Sequence, residues 1–306
     1  MNGQSPELLS EPIERDASTG AFEFVRQLAT ELSKGAVELP SFPDVAVRVQ
    51  KVLSNEKVSV DRIVRVIGAE PMIAARVLTV ANSVAMNPQC KPVTDLRAAV
   101  LRSGLDALRS AVIGFAIAQL RRATGFKGIE RHLNALWHHS VLVAALSLTI
   151  ARRSGKVNPD TAMLTGLVHG VGKLYILTRT ANHPALFANQ AMYQKIVKEW
   201  HANIAKALLE SWRIADEIVE AVHCYEDPGR DVRGVTAVLA DVLEVAEAVS
   251  QGGKDSAELM RERLAGLKAT SRLGLDAESG KTLLTESAVE LSALRQALNG
   301  DSIAGL

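Results

Sequence analysis

The chain carries seven histidines, and four of them, His139, His169, His201 and His223, fall at the ends or on the apolar faces of expected helices. Imidazole is a good ligand for borderline divalent ions. The segments LWHHS, HANIAKALLESW and VHCYED, with the turn GLVHGVGKL between the first two, can bring four rings to one centre in a helical bundle. A single histidine on such a face is usually a hydrogen-bonded core residue. Four together make a metal-type site a reading to weigh against a satisfied polar core. Cys224 is a soft donor beside His223 or, with no second cysteine near it, a small buried hydrophobe. Gly170 follows His169, so the turn offers a ring and no carboxylate. A catalytic ion must be fixed in open geometry and must lower the pKa of a bound water. Neutral rings alone bring no negative charge to that task.

The elements that would position these residues read as helices throughout. Val45, Val49, Val52 and Leu53 share a face, and Ser59 is a plausible N-cap for a helix carrying Ile63, Val66 and Ile67. Pro71 suits a first helical turn, and Thr94 can cap a helix that Gly104 stops. Asn158-Pro159 opens the helix leading to His169. No period-two alternation suggests a strand. Residues 1–20 are expected to be a flexible lead-in, followed by a short helix around Phe22–Lys34 and the extended stretch LPSFP. The expected divisions are an N-terminal helical subdomain over 21–125, a bundle over 126–250 and a C-terminal helical extension over 251–306.

Composition agrees with an all-α fold. Of 306 residues 47% are hydrophobic but only 4% aromatic, so the core is aliphatic and suits packed helices. No run of about 18 apolar residues predicts a membrane span, and residues 1–20 have no apolar centre of a secretory signal. Two distant cysteines, Cys90 and Cys224, suggest no disulfide framework and a cytoplasmic location. The net charge of +1 gives no general reason to expect nucleic acid or membrane, although Asp95–Arg131 holds seven basic against three acidic residues and Ala205–Asp231 seven acidic against three basic.

The segments LPSFPDVAVRVQKVL, IGAEPMIAARVLTVANSV, LRAAVLRSGLDALRS, LWHHS, GLVHGVGKL and HANIAKALLESW, in that order, resemble the HDOD domain family from about Leu39 to Val249. That family is a divergent bacterial branch of the HD superfamily of phosphohydrolases. The resemblance implies an all-helical fold, with an N-terminal subdomain packed on an HD-like bundle. It implies metal ligands at His139, at the His-Asp pair matched by His169 and Gly170, and at a distal acid for which Asp241 and Glu247 are both open. Two-metal relatives add ligands at the positions of His201, His223 and Cys224. Lys173 matches a lysine that approaches substrate phosphate. Asn82 and Ser83 match the pattern as turn-forming residues at a helix end, without chemistry.

The implied function is a non-catalytic bacterial signalling module that binds a protein partner in a signalling pathway, or a small ligand. No catalytic residue is assigned. Lys173 and Cys224 would line a vestigial cleft. No cofactor is expected, and a residual divalent metal on His139, His169, His201 and His223 is the alternative. The competing function is a degenerate metal-dependent phosphohydrolase acting on a nucleotide or phosphoester. A nucleic-acid-binding regulator comes third and is disfavoured, since Met72–Ser83 has only Arg76 as a basic residue.

Overall fold

The computed structural model describes residues 11–39, 44–55, 57–82, 93–122 and 128–299. Regular structure among these residues is entirely helical, as the aliphatic composition implies. In chain order the helices are α1 (Glu11–Ser33), α2 (Asp44–Leu53), α3 (Val60–Gly68), α4 (Pro71–Ala81), α5 (Leu96–Arg122), α6 (Glu130–Ser154), α7 (Pro159–Val168), α8 (Val171–Thr180), α9 (Pro184–Ala188) and α10 (Gln190–Ser211). Then follow α11 (Asp216–Cys224), α12 (Gly234–Gln251), α13 (Ala257–Ala265), α14 (Lys268–Leu273) and α15 (Gly280–Asn299).

Local chemistry sets many of these boundaries. Ser59 accepts from the Arg62 amide and caps α3. Asn158 accepts from the amides of Asp160 and Thr161, and Pro159 fills the first position of α7, which needs no donor. At α5 the cap is Asp95 rather than Thr94, because the Asp95 carboxylate accepts from the Ala98 amide at 2.7 Å. Gly104 ends the first helical stretch of α5, as its type suggests, and a second stretch starts directly after it. Its φ of 73° and ψ of 172° are non-helical and put a kink between the two stretches, a backbone conformation that favours glycine.

Two apolar cores lie on either side of α5. The smaller gathers Val49, Leu53, Ile63, Ile67, Ile73 and Val77 from α2, α3 and α4 against Leu108, Val112 and Phe115. The larger takes Ile113, Ile117 and Leu120 from the same helix and builds the bundle of α6 to α12 on them. The helix expected at 22–34 begins at Glu11, so the expected lead-in is helical over its second half; residues 1–10 lie outside the described set. Phe24 and Leu28 bury in the large core, and α1 packs on α9 and α10 of the bundle. The C-terminal helices also cover the bundle, through Met260, Leu264, Leu273 and Leu283, and α15 packs along α6 and touches α4 and α5. Arg76 is buried in the α4 face, so α4 presents no cation; Arg62 and Arg65 of α3 are exposed. The helix α6 is long and apolar enough by composition to cross a membrane, yet two thirds of its most apolar stretch is buried in the core.

A partly buried polar contact ties α1 to the bundle. The Tyr175 hydroxyl donates to Glu31, and Arg179 donates to the Tyr175 oxygen at 3.2 Å. Burial, reinforced by the Glu31 bond, pushes the Tyr175 phenol up to about 12, and burial does the same to Tyr193. An unfolded tyrosine ionises near pH 10, so the folded state's preference for neutral phenols is complete below about pH 10 and lost between about 10 and 12. Denaturant titrations should therefore show stability falling across that window, with a smaller fall for Tyr175→Phe. A level profile there would contradict this packing.

Candidate metal centre

His139 lies on α6, His169 caps the C-terminal end of α7, and Glu247 is on α12. These three helices cross at one point in the bundle. One ligand atom from each residue falls within 4.8 Å of the other two. Glu247 accepts from His139 Nε2 at 2.8 Å, and His169 Nε2 approaches the same carboxylate oxygen at 3.6 Å. His169 is fully buried, Glu247 largely so, and His139 reaches solvent at the rim.

The tautomer of His169 is fixed by its surroundings. Its Nδ1 lies 2.6 Å from the Gly166 carbonyl, which can only accept, so Nδ1 carries the proton. Nε2 is then a bare lone pair. It is buried, has no hydrogen-bond partner and faces a carboxylate. Protonation does not relieve this, because burial holds the imidazolium down to about 4 despite the pull of Glu247. Burial also opposes ionisation of Glu247. The His139 hydrogen bond outweighs it, with the charges of neighbours including Lys173, and holds that carboxyl down to about 2. A lone pair and an anion face each other in a largely buried pocket, where each favours a positive charge between them. Two imidazoles and one carboxylate are a ligand set for zinc, iron(II) or a similar divalent ion. The Gly166 contact is the outer hydrogen bond that a ligating histidine ordinarily makes. The donor set fits a single cation.

Of the histidines expected to share a centre, only His139 and His169 do so. His201 Nε2 donates to Glu226 at 3.1 Å. His223 turns to Asn203 Oδ1 at 3.1 Å and lies 3.6 Å from Glu220, on the outer face of α11. Cys224 is half-buried against its own helix, and burial first of all raises its thiol pKa, which suits a small apolar filler better than a thiolate ligand. Asp241 is also elsewhere. It is buried between Arg230 and Arg272, with contacts of 2.7 and 2.5 Å, and so joins α14 and the 226–233 loop to the bundle. The open choice between the two acids falls to Glu247. Lys173 stands between the two polar groups: it donates to Glu226 at 3.3 Å and its charge reaches Glu247.

Glu226 and Tyr225 were not among the residues expected from sequence. Glu226 follows the VHCY segment directly, and nothing in its spacing marks it. Gly170 faces α6: a Cβ there would meet Ser140 Oγ at 3.0 Å and Leu136 Cδ1 at 3.4 Å. A small, mostly apolar cavity of about 20 Å³ adjoins it, lined by Leu136, Trp137, Leu167 and Leu174 among others. That is room for about one water and no larger guest. A larger cavity of about 530 Å³ opens between the α5 kink and the first turns of α7 and α11, and none of the histidines lines it.

The helix order, the two-part core and the paired histidines of α6 and α7 define an HD-like helical protein. The chain belongs to the HDOD domain family, whose model matches residues 39–228. A provisionally named metal-dependent phosphohydrolase from Shewanella amazonensis SB2B is 26% identical, with a TM-score of 0.71 over 92% of this chain and 99% of that one. An HDOD domain protein of unknown function from Geobacter sulfurreducens is 24% identical, with a TM-score of 0.66 over 89% and 97%. A provisionally named signal transduction protein from Marinobacter aquaeolei VT8 shares the fold at 19% identity and a TM-score of 0.60, over 92% and 66%. A curated relative, an uncharacterized protein from Treponema pallidum, is 20% identical over 220 residues, and the match spans 40% of its length.

Proposed function

We propose that this chain is a regulatory HDOD module built round one divalent cation on His139, His169 and Glu247, and not a two-metal phosphohydrolase. The observation that carries this reading is the buried, unpartnered Nε2 of His169 facing the Glu247 carboxylate. A cation there would supply positive charge to hold α6, α7 and α12 together and to meet an anionic ligand. The residues that could hold a second ion are otherwise engaged, His201 by Glu226 and His223 by Asn203. Gly170 offers no bridging acid. The module would act in the cytoplasm on a protein partner of a bacterial signalling pathway or on a small ligand. The test is a panel of phosphoester and nucleotide hydrolysis assays with Mn²⁺, Zn²⁺ or Fe²⁺ added. No metal-dependent turnover is expected. Clear turnover lost on His169→Ala would overturn the reading in favour of the second one, a single-metal phosphohydrolase with Lys173 on the phosphate. The name of the Shewanella relative and the position of Lys173 favour that alternative.

Gly170→Asp should restore a fourth ligand. The one close neighbour of the new Cβ is a serine hydroxyl that can rotate, so the fold should accept the change. Cation affinity is expected to rise by about 10- to 100-fold, the scale on which changes round a metal site act. An aspartate at this position could also cap α8, so affinity from a chelator competition is the readout, not stability. An unchanged affinity would mean that residue 170 does not face the cation.

A further inference from the structure

The cavity of about 530 Å³ lies where the N-terminal helices meet the bundle. Its walls come from Ser54 after α2, from the α5 kink, and from the starts of α7 and α11. That volume is in the range of small-molecule sites, which form preferentially at such junctions. Part of the polar lining serves the fold. Arg109 donates to Asp106 at 2.6 Å and to the Leu53 carbonyl at 2.7 Å, and the Thr161 hydroxyl donates to the second Asp106 oxygen at 2.6 Å. Three charges in the wall are unmet. Among the described residues, no ion pair or hydrogen bond reaches the charged groups of Asp160, Glu217 or Arg213.

Several of these side chains sit where the fold does not favour them. Burial raises the Asp160 carboxyl above its ordinary range, with Arg152 pulling it down and Asp106 pushing it up, so its charge costs the fold stability. Arg213 is the one described non-glycine residue with positive φ, 55°. It stands just past α10, where its amide donates to Glu210 and the Ile214 amide to Leu209, a turn that glycine ordinarily closes. Ser103 is 4% exposed in the same wall, and its hydroxyl has no partner. A disfavoured anion, a strained arginine and an unmet hydroxyl thus share one cavity, and strain and unmet groups gather where ligands bind.

We propose that this cavity binds a small basic amino acid, with Asp160 and Glu217 taking its two cationic groups and Arg213 its carboxylate. The charge count sets the class. Two unmet anions and one unmet cation complement a ligand with two positive groups and one negative, the pattern of free arginine and lysine. A diamine would leave Arg213 unmet, and an acidic ligand would face two carboxylates. Arginine's guanidinium matches a carboxylate with two parallel bonds, and the guanidinium of Arg213 can do the same for the ligand's carboxylate. The Ser103 hydroxyl is a further donor or acceptor. A ligand seated here touches α5 of the subdomain and α7 and α11 of the bundle, so binding favours their docked arrangement.

The cavity shares no residue with His139, His169 and Glu247, so its test runs with chelator present and stands apart from the cation reading. The probes are L-arginine and L-lysine, titrated by calorimetry into the full chain. One equivalent is expected to bind saturably. Agmatine, which is arginine without its carboxylate, is expected to bind at least about tenfold more weakly than L-arginine, the scale of one lost charge-assisted bond. Asp160→Asn and Arg213→Gly are each expected to weaken L-arginine binding at least about tenfold. Both should melt no lower than the parent, because the first removes a disfavoured charge and the second suits the backbone. No saturable binding of either amino acid, equal binding of agmatine, or unchanged affinity in either variant overturns the proposal. Should a variant not fold, the ¹⁵N-labelled parent decides. Saturable shifts of the Asp160 and Arg213 amides on adding L-arginine support the site, and shifts confined to other segments overturn it.

Discussion

Gly172→Ala is expected to abolish folding. A Cβ on Gly172 would lie 1.9 Å from the His201 carbonyl oxygen, 2.8 Å from its carbon and 3.0 Å from the Ala205 nitrogen. All three are backbone atoms of α10, and no rotamer can move them aside. The two helices would have to separate by more than an ångström along a face that buries Tyr175, Ile176, Ile204 and Leu208. Protein interiors do not yield that distance cheaply, and the cost should exceed about 4 kcal/mol, a large part of a domain's stability. Lys173 of α8 and His201 of α10 both bond Glu226, so any folded remnant would lose that arrangement. Circular dichroism and thermal unfolding check this. A variant that melts like the parent would show that α8 and α10 are farther apart than described. Gly166 makes a parallel case on α7, where a Cβ would meet Ala144 Cα and the Val143 carbonyl oxygen, both at 2.8 Å.

His169→Ala and Glu247→Ala are each expected to weaken divalent-ion binding by at least about 100-fold, beyond the range that outer hydrogen bonds control. His169 brings the one fully buried nitrogen with its lone pair already aimed, and Glu247 brings the one negative charge. His201→Ala and His223→Ala are expected to change that affinity less than about threefold, because their rings bond to Glu226 and Asn203 and contribute no atom to the three-ligand group. Chelator competition with Zn²⁺ or Mn²⁺ distinguishes the two pairs. Equal losses from His169→Ala, His201→Ala and His223→Ala would restore the centre of four histidines.

The fold was legible where local chemistry sets it. Ser59, Asn158-Pro159 and Pro71 begin their helices as their side chains dictate. Gly104 was read as the stop of one helix before a long apolar one, and it is the non-helical joint between two helical stretches, the second of which buries against both cores. The pairing of His139 with His169 was also legible, through the family's ordered motifs. The fate of the other two histidines was not. Whether His201 points to His169 or to Glu226 depends on how α10 is rotated against α8, and that rotation is set by the close approach at Gly172. The choice of Glu247 over Asp241 had a partial signal. Asp241, Glu244 and Glu247 recur every three residues along an otherwise apolar helix, which marks one polar stripe facing the interior. Arg230 from the loop before α12 and Arg272 from α14 claim Asp241 and leave Glu247 for the histidines. Pairings at that sequence distance follow from packing and not from local pattern.

Titration of the chelator-treated chain with Co²⁺, followed by visible absorption, tests the central claim most directly. The account predicts one equivalent bound, with ligand-field bands that vanish in His169→Ala and Glu247→Ala and persist in His201→Ala. Absence of any band, or two equivalents whose bands depend on His201 and His223, would contradict it.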